Sequence, residues 1–149
     1  MEEAFEVKVV RRNKQTIDCT VVVSVSSTFN MRISGITLDQ EEFVADSMFD
    51  AMRAMRKKLE EQGALLLCAG SRIEVFPSAM SRVGYKAYVT RLGFQARRGD
   101  LIHIFDYAGP ELVGAVEQQY EFHRQWGESL RKLAEQPSSA AERAQTKSE

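Results

Sequence analysis

The stretch Ile17-Asp18-Cys19-Thr20-Val21-Val22-Val23-Ser24-Val25 alternates with period two. Ile17, Cys19, Val21, Val23 and Val25 share one face, while Asp18, Thr20 and Ser24 take the other, which is the signature of a half-buried strand. Working outward, Phe5, Val7 and Val9 repeat the pattern on the far side of polar residues 11–16, so the two runs form an antiparallel hairpin with one solvated side. On the other flank Phe29, Met31 and Ile33 alternate with Asn30, Arg32 and Ser34, either as a third strand or as a continuation of the second beyond a bend at Ser26-Ser27.

The period then changes. Thr37 followed by Gln40 has capping-box form and predicts a helix start there. Asp39, Glu41 and Glu42 would crowd its first turns and Arg56, Lys57 and Lys58 its last, as the helix dipole favours. Met48, Met52, Met55 and Leu59 supply an apolar stripe, suited to core packing or to an adaptable binding groove, and Gly63 is the expected stop.

Residues 64–69 read as a central strand buried on both faces, 73–76 as a strand stopped by Pro77, and 85–92 as another with Tyr85, Ala87 and Val89 on one face. Residues 101–105 are a short apolar segment of open type. Gly109-Pro110 predicts the start of a long helix with stripe Val113, Val116, Tyr120, His123, Leu130 and Ala134, interrupted by Gly127. This order belongs to the α+β class: a mostly antiparallel sheet of five to six strands with two long helices on one face. A single domain over 1–136 is expected, followed by a disordered tail over 137–149, which lacks large apolar residues.

Composition agrees with a soluble domain. The chain has 149 residues, 44% hydrophobic and 28% charged, with net charge −1. No apolar run approaches the roughly 20 residues that span a bilayer, and the acidic start is unlike a signal peptide, so a cytoplasmic location is expected. Near-neutral charge argues against a nucleic-acid coat, and Tyr85-Lys86-Ala87-Tyr88-Val89 lacks the RRM order of glycine and aromatic residues. Cys19 and Cys68 sit in apolar segments and read as buried reduced thiols.

Charge is nevertheless segregated. From Arg72 to Arg98 six basic residues face the single acid Glu74, a local net of +5 that leaves about −6 for the rest. Three readings stay open. Arg72, Arg82, Tyr85, Lys86, Tyr88, Arg91, Arg97 and Arg98 could form a basic, aromatic protein-docking face. Ser71, Ser78, Ser81 and Arg82 could instead hold a phosphate or nucleotide, although no P-loop or dinucleotide fingerprint is present. The third reading is a tight turn with a solvated basic rim. Catalysis would have to use His103, near Asp100 and Asp106, or a Cys68–His103 thiol dyad if folding joined them; no metal-ligand or cofactor motif accompanies them. Phe122 and Trp126 lie off the main stripe of the last helix and could bury in a homodimer.

The run from Gly63 to Arg82, GALLLCAGSRIEVFPSAMSR, with Lys86-Ala87-Tyr88 and Ile104-Phe105-Asp106, resembles small bacterial proteins. The size and α+β plan are similar to immunity proteins that accompany secreted toxins. The resemblance covers about a third of the chain and assigns no residue a role. It implies a non-catalytic cytoplasmic protein whose partner is a toxin domain, neutralised by occlusion.

Overall fold

The computed structural model describes residues 2–78 and 84–135. The fold is α+β. Strands β1 (Glu2–Arg11), β2 (Thr16–Val25), β3 (Phe29–Ser34), β4 (Phe43–Ala45) and β5 (Ala64–Leu66) form one antiparallel sheet in the order β4-β3-β2-β1-β5. The hairpin register sets Phe5 opposite Val21 and Val7 opposite Cys19, so the alternating apolar residues share one face. Ser26-Ser27 belongs to a true turn, closed by the Ser26 amide donating to Thr28 O at 3.0 Å, and the third run is a separate strand. On the solvent side, cross-strand polar pairs such as Lys8 Nζ to Asp18 (2.7 Å) and Thr20 to Glu6 (3.0 Å) cover the sheet.

Helix α1 (Met48–Glu61) packs on the apolar face. Met48, Met52, Met55 and Leu59 are all buried among Val9, Val21, Met31 and Phe43, as the stripe predicts. The expected start at Thr37 is not where the helix begins. Phe43 is needed as a buried rung of β4 opposite Met31, so the chain stays extended until Ser47, whose hydroxyl accepts from the Asp50 amide at 3.1 Å. Residues 37–42 run back along the helix instead. Thr37 O accepts from Gln62 Nε2 (2.7 Å), and Asp39 meets Lys58 near the helix C-terminus (3.4 Å) rather than capping its N-terminus. Gly63 does end the helix, at φ +71, where an added Cβ would collide with the Arg12 side chain.

The central strand expected at 64–69 is instead a three-residue strand at the end of the sheet order, beside β1. It is apolar because other segments cover it. The Ala108 amide donates to Leu67 O (3.1 Å), the Ala69 amide to Asp106 O (2.7 Å), and Leu67, Ala108 and Val113 form a second small core with Val10 and Leu65.

A second antiparallel sheet comprises β6 (Val75–Phe76), β7 (Lys86–Val89) and β8 (Leu101–His103), in the order β6-β7-β8. The last helix, α2 (Val116–Ala134), starts seven residues later than Gly109. Gly109-Pro110 makes a turn, with the Leu112 amide on Gly109 O (3.0 Å), and Val113 pairs with Arg72 in an isolated bridge. Helix α1 covers the five-stranded sheet and also meets β6 through Phe49 and Phe76, while α2 lies against β6, so the expected placement of both helices on one face holds only in part.

A polar knot joins the two halves. Arg56 of α1, 2% exposed, donates to Gln119 Oε1 (2.7 Å), Gly114 O (3.0 Å) and Gly70 O (3.3 Å). Gln119 Nε2 in turn lies 2.9 Å from each of Gly70 O, Arg72 O and Val75 O. Burial pulls the Arg56 pKa down to about 10, with Glu60 opposing the shift, so the side chain stays charged at neutral pH. The charge pattern places Arg56 with Lys57 and Lys58 in the last turns and gives no sign of this burial. The expected domain end at 136 and the tail 137–149 lie outside the described residues.

Candidate functional site

Strand β7 and the loop after it carry most of the residues singled out by charge. The loop closes through the Phe94 amide on Arg91 O (3.0 Å), with Gly93 at φ +81. It is latched to α2 twice. Ser129 Oγ accepts from the Gly93 amide at 2.8 Å, and Trp126 Nε1 donates to Phe94 O at 2.8 Å. At its far end Asp100 accepts from the Arg97 amide at 2.9 Å. The loop tip is thereby held with Leu92 and Phe94 45% and 53% exposed and the Arg91 guanidinium 3.9 Å from the centre of the Phe94 ring.

Beneath the latch, between α2 and the second sheet, is a cavity of about 680 Å³ walled by Phe76, Tyr88, His123, Trp126 and Leu130, with Gln95 at its rim. Its wall is a column of rings. His123 stacks on Phe76 (3.7 Å between centres, 8° between planes) and lies 5.6 Å from Trp126, with Tyr120 set edge-on to Phe76 beyond. Thr90 Oγ1 on the cavity wall is used by Glu74 O at 2.6 Å, and Pro77 and Ser78 open onto the cavity from the end of β6. A smaller hollow of about 450 Å³ shares Gln95 and Ala96 and continues to Arg91, Arg97 and Asp100.

The seven docking candidates among the described residues do not form one face. Arg72 is engaged by Glu74, with Nε at 2.6 Å from its carboxylate. Tyr85 belongs to an aromatic cluster with Phe5, His103 and Phe105 that joins the two sheets, its hydroxyl pKa raised by burial and by nearby Glu3. Lys86 is exposed beside it, opposite His103. Tyr88 walls the cavity, while Arg91, Arg97 and the exposed Arg98 gather on the latched loop. Of the anion-loop candidates, Ser71 is 1% exposed in a 3-10 turn and Ser78 is at the cavity; Ser81 and Arg82 lie outside the described residues.

Chemistry by the other candidates is disfavoured by their surroundings. Burial pushes the Cys68 thiol up to about 12, with Arg56 partly opposing, so it stays protonated at neutral pH. His103 stacks on Tyr85, and its Nδ1 accepts from the Phe105 amide at 3.2 Å. Among the described residues no group of acidic, Cys and His side chains could hold a metal ion, and no helix is long and apolar enough to cross a membrane.

His123 and Trp126 are the site residues that sequence reading missed. Trp126, expected on an outward dimer face, points its indole N–H into the latch. Their spacing of three with Leu130 four further on was a legible helical stripe. What it faced was not. No protein-family model matches the sequence, and no curated protein matches it.

Proposed function

We propose that the protein is a non-catalytic binding module that docks a protein partner through the loop following β7. What supports this reading is the latched tip, where Leu92 and Phe94 stand exposed among Arg91, Arg97 and Arg98, none of them ion-paired among the described residues. Apolar anchors ringed by arginine have the composition of interface hot spots. Fixing them before the partner arrives reduces the ordering cost of association. The complementary surface is acidic with an apolar recess. The similarity of size and α+β plan to immunity proteins favours a toxin domain as the partner, with the product of the adjacent gene the first to assay. Isothermal titration with that purified protein is expected to show one-to-one binding that Phe94→Asp weakens at least about a hundredfold, a loss in the hot-spot range. Val44→Asp, at an exposed position on the opposite edge of the large sheet, should leave affinity unchanged. Equal losses from both variants would remove the loop from the interface.

A further inference from the structure

The ring-walled cavity is a feature that protein docking at the loop tip does not require. At about 680 Å³ it lies inside the range of roughly 300–1,000 Å³ typical of small-molecule sites, and its described lining sets the rings of Phe76, Tyr88, His123 and Trp126 beside the polar Ser78, Thr90 and Gln95. It is also held in shape. The Trp126 ring is fixed by its N–H bond to Phe94 O, and His123 is sandwiched between Phe76 and Trp126, so the walls are ring surfaces that cannot collapse inward freely. The adjoining hollow differs in chemistry. Its side chains include Arg91 and Arg97, neither ion-paired among the described residues, against the one carboxylate of Asp100, which already accepts the Arg97 amide. Gln95 and Ala96 border both spaces, so the rings and the arginines lie on either side of the same two residues.

We propose that these two adjoining hollows together bind a small planar aromatic anion that spans Gln95 and Ala96, its ring lying along the Tyr88 and Trp126 walls and its acidic group turned toward Arg91 and Arg97. Flat rings gain from stacking on fixed ring surfaces, and guanidinium groups select the anionic end. The site shares Arg91, Phe94 and Arg97 with the loop but uses no partner surface, so it stands whether or not the docking reading does.

Trp126 is the chain's single tryptophan, so its fluorescence reports directly on the cavity. The test uses the full chain with three probes: anilinonaphthalenesulfonate as aromatic anion, N-phenylnaphthylamine as its neutral counterpart, and inorganic phosphate. Saturable one-to-one quenching of Trp126 by the sulfonate is expected, at least about tenfold tighter than by the neutral dye, as for loss of one charged hydrogen bond. The double variant Arg91→Gln with Arg97→Gln alters exposed side chains only; it should erase that preference while leaving the neutral dye's affinity unchanged. Ala96→Phe, which fills the junction, should weaken the sulfonate while circular dichroism shows the fold retained. Equal affinity for both dyes, or an unchanged preference in the double arginine variant, overturns the proposal. So does phosphate competing as well as the sulfonate, which would mean a general anion patch. Leu92→Asp, at an exposed tip residue that lines neither hollow, should weaken partner binding and leave sulfonate binding intact; an unchanged partner affinity would reject docking at the tip alone, and absence of sulfonate binding by the unaltered chain would reject the cavity site alone.

Discussion

The two sheets use the same antiparallel pairing, yet their inner faces meet different surroundings. The five-stranded sheet presents valines to a methionine-rich helix, and its outer face is closed by paired polar side chains. Methionine's flexible chain fills irregular gaps well, so every large side chain of α1 directed at the sheet finds a place. The three-stranded sheet has strands of two to four residues and shares its helix with a cavity, and a loop rather than a strand bridges the gap between them. The first region is filled throughout, whereas in the second a buried core of Val75, Phe76 and Ala87 borders a cavity and an exposed loop tip.

The sharpest way to break the contrast is at the seam. Arg56→Met leaves Gly114 O and Gln119 Oε1 without their buried donor, and at about 1–3 kcal/mol per orphaned group the loss should be about 2–6 kcal/mol in urea denaturation. Next comes the core contrast. Leu59→Ala, in the filled region, is expected to cost about 2–5 kcal/mol. Leu130→Ala, on the cavity wall, should cost no more than about 1 kcal/mol, because part of its surroundings is already empty. Similar losses at the two positions would mean that the cavity closes in solution.

A pH measurement sharpens the same comparison from the packed side. Cys68 titrates near 9 when unfolded and near 12 when folded, so between these values the unfolded thiol has released its proton while the folded one retains it. The unfolded state then binds fewer protons, and stability falls as pH rises from about 9, by up to about 1.4 kcal/mol per unit. Below about 9 the thiol contributes no slope. Cys68→Ala should flatten the alkaline limb, leaving the smaller contribution of Cys19, whose pKa burial also raises. A small effect is also expected at the latch. Trp126→Phe removes one hydrogen bond, about 0.5–1.5 kcal/mol, and should speed amide exchange in residues 91–97 more than in β1 or β2.

How legible each region was follows from the same difference. Where strands are long and one face is solvated, alternation is complete: Ile17 to Val25 and Phe5 to Val9 could be placed on their faces from residue order alone. The methionine stripe was equally readable. The errors lie where tertiary pairing overrides a local signal. Thr37 and Gln40 form a capping box only on paper, because Phe43 is worth more as a buried rung than as the first turn of a helix. Gly109-Pro110 suits a turn as well as a helix start, and Val113 was drawn into a bridge with Arg72. At the site, composition located the basic segment but not its division. Nothing in residue order says that Glu74 engages Arg72, that Tyr85 turns toward Phe5, or that Trp126, 32 residues away, ties down Phe94. The last two are contacts between distant segments.

The knot of Arg56 and Gln119 also bears on the order in which the chain leaves the ribosome. The guanidinium is synthesised 63 residues before the amide that receives it, and the first sheet and α1 are complete long before α2 exists. Until Gln119 arrives, a nascent chain that packed α1 fully would enclose a cation with part of its hydrogen bonding unmet. The last helix is therefore a late key to an early core. A chain ending at residue 115 is expected to show helix and strand by circular dichroism but rapid protease cleavage around residues 53–62, and adding a peptide of residues 114–135 should slow that cleavage. Equal protease resistance in the truncated and full chains would show that the core closes without its key.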